Sequence, residues 1–171
     1  MNLFNIPTND KSPRVVTAVI EIPKGSNMKY EYDGDLGVFR FDRSLDSAMV
    51  YPASYGSIPG TLCDDGDPLD ILVITERPID KGVVVECRVL GVLDMDDDGD
   101  KDYKVLAVPT STRKRFRNLQ DVDDLFLRVC KNFFNHYKDL DNKVVTVHNW
   151  LNKDEAYNII NKSLVDNEQK K

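Results

Sequence analysis

Asp64-Asp65-Gly66-Asp67-Pro68-Leu69-Asp70-Ile71-Leu72-Val73-Ile74 sets a dense run of carboxylates directly against a run of branched apolar residues. Gly and Pro among the acids are turn chemistry, and the apolar run that follows has the composition of a buried strand. A strand over residues 71–75 begins where the acids end. A second acidic run, Asp94-Met95-Asp96-Asp97-Asp98-Gly99-Asp100-Lys101-Asp102-Tyr103-Lys104, lies between residues 83–93 and 103–108, both of which read as strands. An acidic run is ordinarily a solvated loop. Two of them, each at a strand end, repel themselves unless a cation neutralises them.

Outward from these runs the N-terminal half continues as strands. Residues 14–22 are rich in β-branched side chains, and residues 28–32 and 38–41 flank Asp33-Gly34-Asp35-Leu36-Gly37, a hairpin turn. After Pro109 the period changes. Asp121 is expected to cap a helix in which Leu125, Val129, Phe133 and Tyr137 recur every four residues, with Phe126, Cys130 and Phe134 alongside. Residues 143–150 return to strand. Asn152 with Glu155 resembles a capping box that opens a second helix, its apolar face made by Ala156, Ile159, Ile160 and Leu164. The expected fold is α+β: a mostly antiparallel sheet curled into a barrel, with two helices toward the C-terminus.

With 171 residues, 41% apolar and 30% charged, the composition is that of one globular domain spanning 1–171, with a polar tail from about residue 166. The net charge of −6 repels nucleic acid and anionic membrane, so neither is an expected partner, and it suits a collector of divalent cations. No apolar run reaches membrane-spanning length, and the first residues lack a signal-peptide layout. Cys63, Cys87 and Cys130 are scattered and odd in number, which argues against a disulfide framework or zinc knuckle and for a cytoplasmic location. Arg113-Lys114-Arg115-Phe116-Arg117 reads as a solvated loop before the helix or a contact between subunits.

Oxygen donors without nearby histidine favour Mg²⁺, Mn²⁺ or Ca²⁺. A non-catalytic Ca²⁺-binding module using residues 94–102 is the alternative reading, because Asp94, Asp96, Asp98 and Gly99 fit the first positions of an EF-hand loop. The fit fails at the twelfth position, Val105, and both flanks read as strand. Asp65-Gly66-Asp67 could suggest a phosphatase nucleophile, but no alternating βα pattern surrounds it. A phosphate ligand would need cations from the protein as well as metal, and Lys29, Arg43, Lys104 and Lys138 are candidates, though each taken singly reads as a surface salt-bridge residue. Tyr51 and Tyr55 frame a tight Pro52-Ala53-Ser54 segment that could hold two phenols on one wall.

Taken together, the motifs resemble the soluble family I inorganic pyrophosphatases of the short bacterial type. Asp65-Gly66-Asp67-Pro68-Leu69-Asp70-Ile71 looks like the family signature. Glu21-Ile22-Pro23, Lys29-Tyr30-Glu31, Arg43, Tyr51-Pro52 and Tyr55-Gly56 precede it in order. Gly91-Val92-Leu93, Asp97-Asp98-Gly99, Asp102-Tyr103-Lys104, Ala107-Val108-Pro109 and His136-Tyr137-Lys138-Asp139-Leu140 follow it.

The resemblance implies a five-stranded OB-like antiparallel barrel with two principal helices, hydrolysing pyrophosphate to two phosphates with several Mg²⁺ ions, Mn²⁺ being the expected substitute. By the same resemblance Asp65, Asp70 and Asp102 hold the tightest metal, Asp70 bridges to a second, Asp97 joins Asp102 on a third, and Glu21 serves an outer one. Lys29, Arg43, Tyr55, Lys104, Tyr137 and Lys138 match the phosphate clamp. Asp67 matches the acceptor of the attacking water's proton, with Glu31 and Tyr51 in support. Short bacterial members are usually hexamers, dimers of trimers. Asn132 stands where those members carry a histidine that joins trimers, so a homohexamer here is expected to build that contact differently.

Overall fold

The computed structural model describes residues 2–112 and 116–165; Arg113 to Arg115 of the basic stretch and the polar tail from residue 166 lie outside the described residues. Its strands are β1 (Val15–Ile22), β2 (Met28–Asp33), β3 (Val38–Ser44), β4 (Ser54–Ser57), β5 (Asp70–Val73), β6 (Val84–Asp97), β7 (Asp100–Lys101), β8 (Lys104–Pro109) and β9 (Val145–Asn152). The helices are α1 (Asp124–His136) and α2 (Lys153–Ser163).

Five strands close a ring in the order β1–β4–β5–β8–β6, because β6 pairs back with β1. The ring is uneven: β6 has 14 residues whereas β4 and β5 have four each. One joint departs from the antiparallel expectation. β5 and β8 run parallel, with Asp70 opposite Lys104 at their first residues. β9 and β7 extend the sheet from the far end of β6, and β2 and β3 form a separate hairpin closed as expected over residues 34–37.

Alternate side chains along the ring strands sort into two cores. Leu72, Leu90, Leu93, Leu106 and Val108 pack with Phe133 and Phe134 of α1, while Ile71, Val73, Val89, Val105 and Ala107 pack with Ala156 and Ile160 of α2. β5 and β8 therefore read as continuous apolar runs: both of their faces are covered.

Three local readings change. β4 occupies Ser54–Ser57, where no strand is expected from the sequence. β6 runs on through Asp94, Met95 and Asp96 because Met95 is fully buried and β9 pairs along it. The 98–99 turn, with φ of 51° at Asp98 and 93° at Gly99, is then a two-residue hairpin and not an EF-hand loop. Finally, Asp123 caps α1 by accepting the Phe126 N–H at 3.1 Å. Asp121 instead accepts the Arg117 and Asn118 N–H groups and closes a short 3₁₀ turn. Leu125 and Val129 point outward, 59% and 45% exposed, and the buried positions of this segment are Cys130, Phe133, Phe134 and Tyr137. Asn152 caps α2 as expected, accepting from Asp154 and Glu155, while Leu164 falls beyond the helix.

Gly56 is fixed by packing. A Cβ there would sit 1.9 Å from the Val19 carbonyl oxygen on β1, the strand it pairs with. At Gly99 a Cβ meets nothing within 4 Å, so only its positive φ opposes a side chain. Gly56→Ala should therefore cost on the order of 3 kcal/mol or more, and Gly99→Ala about 1–2 kcal/mol. Urea unfolding midpoints of the two variants check this; equal midpoints would contradict the placement of Gly56 against β1.

Candidate active site

The strand ends at one side of the ring open into a cleft of about 680 Å³. Glu21 comes from the end of β1, Tyr55 from β4, Asp70 from the start of β5, Asp97 from the end of β6 and Lys104 from the start of β8. Loops add Tyr51, Asp65, Asp67 and Asp102, the β2–β3 hairpin adds Lys29 and Glu31, and the segment after α1 adds Tyr137 and Lys138. Every site residue expected from the sequence lines this cleft except Arg43.

Lys104 is at its centre, its side chain 3% exposed. Its ammonium meets Asp102 Oδ1 at 2.5 Å and Tyr55 Oη at 3.1 Å, and contacts Asp70 Oδ2 as well. Burial opposes the charge of Lys104, but Asp70 and Asp102 hold its pKa well above the ordinary value. One ammonium cannot satisfy two carboxylates fully. Burial, together with Asp102 and against the pull of Lys104, pushes the Asp70 carboxyl up to about 6. Lys138 pairs in the same way with Asp97 Oδ2, leaving Asp97 Oδ1 buried without a hydrogen-bond partner.

Behind the charges stands an aromatic wall. The Tyr51 and Tyr55 rings lie 5.2 Å apart, as the tight segment between them suggested, and Tyr51 and Tyr137 each pack on Phe133. Burial raises all three phenols, so they stay protonated and able to donate.

Asp65 and Asp67 occupy different settings despite their spacing. Asp65 Oδ1 accepts the Asp67 N–H at 3.0 Å, which ties the first carboxylate into the turn and leaves the second free of it. Burial, with Asp65 and Glu31 nearby, raises the Asp67 pKa above the usual carboxylate range. On the hairpin, Lys29 and Arg43 face each other and share Asp42, each with a nitrogen 2.9 Å from its Oδ2. Arg43 also lies 3.7 Å from Asp141, while its Nε is buried without a partner.

Sequence reasoning missed Asp42, which spaces the two cations, and Ser57, whose hydroxyl donates to Glu21 Oε1 at 3.1 Å. The hairpin register gives a signal for the first; a four-residue strand containing glycine gives none for the second. Outside the cleft wall, Asp94, Asp96 and His148 each offer a ligand atom within 4.8 Å of the others, but Lys101 already sits on both carboxylates.

The donor set fits hard divalent cations. No histidine lines the cleft among the described residues, and acids outnumber lysines on its wall. Cys63, the one sulfur there, has its thiol pushed up to about 12 by burial and by Asp65 and Asp70, so it stays protonated and ligates poorly. The partnerless Asp97 Oδ1 is an acceptor of the hard oxygen type that such cations take.

Glu21 reports the same deficit. Burial and Asp70 push its carboxyl up to about 8, only partly offset by Ser57. The folded chain thus holds a proton that the unfolded chain releases near pH 4.5, so this group's contribution falls as pH rises from 4.5 to 8. Glu21→Gln should raise the melting temperature of EDTA-treated protein by several degrees at pH 8 and by little at pH 5. A gain of equal size at both pH values would count against a titrating Glu21.

A family model described as inorganic pyrophosphatase matches residues 18–168. An inorganic pyrophosphatase of Campylobacter jejuni is 47% identical over 169 residues, covering 96% of this chain and 98% of the relative. The crystal structure of the Thermus thermophilus inorganic pyrophosphatase superposes with a TM-score of 0.92 at 42% identity, covering 95% of this chain and 97% of the other. That of Helicobacter pylori superposes at 0.88 with 38% identity, covering 93% and 96%. Ring, cleft and sequence agree across nearly the whole chain, which belongs to the inorganic pyrophosphatase family of enzymes.

Proposed function

We propose that this chain hydrolyses pyrophosphate to two orthophosphates by direct attack of water, with Mg²⁺ as its metal. The observation that carries the reading is the shared ammonium of Lys104: two half-buried carboxylates, Asp70 and Asp102, divide one buried cation in a cleft that also presents Lys29 and Lys138. Such a wall can take up metal ions and a polyanion together.

Asp65, Asp70 and Asp102 would hold the first metal, Asp70 the bridge to a second, Asp97 with Asp102 a third, and Glu21 an outer one. Mg²⁺, when bound, neutralises phosphate charge and acidifies water within its reach. The chain's own residues do the rest. Lys29, Lys104 and Lys138 place positive charge against phosphate oxygens, and Tyr55 and Tyr137 donate hydroxyls to them. Arg43 acts from beyond the cleft wall, its guanidinium aimed by Asp42, with Glu31 doing the same for Lys29 and Tyr51 bracing Tyr55.

Asp67 takes the proton of the attacking water. Burial, with Asp65 and Glu31 nearby, raises its pKa toward neutrality, where a general base works best. Charge develops on the leaving phosphate as the bridging P–O bond breaks, and the lysine set stabilises it without a covalent intermediate.

The alternative Ca²⁺ module lacks support, since residues 94–102 form a strand and hairpin. We further propose that residues 1–171 act as one domain, in the cytoplasm, as a homohexamer that neither nucleic acid nor membrane recruits. No helix among the described residues is long and apolar enough to cross a membrane. Leu125 and Val129 offer an exposed apolar face on α1 beside exposed Asn132, suited to a second copy.

Phosphate release should occur with Mg²⁺ and cease with Ca²⁺ or EDTA. Asp67→Asn should lower kcat roughly 10²–10⁴-fold with Mg²⁺ binding kept, whereas Asp65→Asn should raise the Mg²⁺ concentration needed for activity. If excess Mg²⁺ restores Asp67→Asn to wild type, Asp67 is a ligand and another group is the base. In the same assay Lys29→Ala and Arg43→Ala should lower kcat/KM more than they weaken Mg²⁺ binding.

Light scattering should give six times the chain mass, and Leu125→Asp with Val129→Asp should reduce it. A monomer in the unaltered protein at micromolar concentration would sink the assembly.

A further inference from the structure

We infer that the last described segment, residues 163–165, is a positioning strap for the loop that carries Asp65 and Asp67. The inference rests on the reading of Asp67 as the base. Within the loop, Cys63 N–H donates to the Asp67 carbonyl at 2.8 Å and Gly66 N–H to the Cys63 carbonyl at 3.0 Å. With the Asp65–Asp67 contact these bonds fix the loop's own shape. They do not fix how the loop sits on the ring.

Two anchors do that. At the trailing end Leu69 leads into β5, and its carbonyl accepts the Ile58 N–H at 2.9 Å. At the leading end the partner is the C-terminal segment and not a strand of the ring. Leu62 N–H donates to the Ser163 carbonyl at 2.7 Å, Val165 N–H donates to the Gly60 carbonyl at 3.1 Å, and Thr61 faces Leu164 in a β-bridge.

Thr61 joins the two anchors. Its buried hydroxyl accepts the Leu69 N–H at 2.8 Å and donates to the Ile58 carbonyl at 2.6 Å. A displacement at residues 163–165 therefore reaches both ends of the loop. Ser163 itself lines the cleft beside Leu62 and Cys63.

The strap holds by main chain more than by packing, because Leu164 is 41% exposed and outside both cores. Loosening it should disturb the loop more than it disturbs the fold. Proton transfer needs its base within hydrogen-bond reach of the water, so sub-ångström placement of Asp67 translates into rate.

Leu164 has φ −62° and ψ 131°, a conformation compatible with a following proline. Val165→Pro deletes the N–H bonded to Gly60. A chain ending at Ser163 removes the bridge and that bond together, and Val165→Ala keeps both.

The test combines amide hydrogen exchange at Cys63, Gly66, Asp67 and Leu69 in Mg²⁺-free protein with kcat and KM in Mg²⁺. Val165→Pro and the shortened chain should exchange these amides roughly fivefold faster or more, the effect of losing about one hydrogen bond. Their kcat should fall several-fold while KM and the melting temperature, within ~3 °C, hold. Val165→Ala should match wild type in every readout. In an Asp67→Asn background the further loss of kcat from Val165→Pro should largely vanish, because the group being positioned is gone.

Unchanged loop exchange, unchanged kcat, or an equal loss in both backgrounds would overturn the strap. Wild-type kcat in Asp67→Asn alone would instead remove the base assignment, and the exchange rates would still decide whether the strap holds the loop.

Discussion

The buried ammonium of Lys104, shared by Asp70 and Asp102 beneath the Tyr55 hydroxyl, ties the ring to the site. It sits at the parallel joint of the sheet, where Asp70 begins β5 and Lys104 begins β8 in register. A slip of one residue along either strand would turn its side chain to the opposite face, into the second core. Removing one partner would leave buried charge unpaired, a loss of about 3–5 kcal/mol in comparable settings. Apolar layers on both faces of β5 and β8 hold this register, so core packing and site geometry are two views of one constraint.

Much of the architecture was legible because its signals are local. The β-branched run of β1, the Asp-Gly turn between β2 and β3 and the Asn152 cap each carry their own chemistry in a few residues. What failed needed partners distant in sequence. Ser54-Tyr55-Gly56-Ser57 has too little β-branched character to announce a strand; it becomes one because β1 and β5 flank it on either side. The end of β6 looked like an acidic loop because the burial of Met95 depends on β9, some fifty residues onward. The helix start moved from Asp121 to Asp123 for a subtler reason: both can cap, and the 3₁₀ turn took the first.

The site was more legible than the sheet, because its side chains are chosen for charge and so stand out against an apolar background. Thirteen of the fourteen expected positions line one cleft. Arg43 is the exception, its guanidinium engaged by Asp42 at 2.9 Å and Asp141 at 3.7 Å. Nor could residue type separate Asp65 from Asp67. That distinction lives in one main-chain bond, the Asp67 N–H on Asp65 Oδ1, which occupies one carboxylate and spares its neighbour.

The same cleft sets more carboxylates than lysines on one wall. Burial, with Asp70 beside it, pushes the Glu21 carboxyl up to about 8, and burial with Asp102 nearby pushes Asp70 up to about 6. Lysines answer part of this repulsion, yet Asp97 Oδ1 stays without a partner. Filling the deficit with more lysine would calm the fold and close the space that a metal and a phosphate need. The ring makes this arrangement tolerable, since two apolar cores hold the strand ends together against the charge they carry. Stability is thus concentrated in the sheet and withheld from the cleft, where a cation that bound the folded chain alone would offset part of what the acids cost the fold.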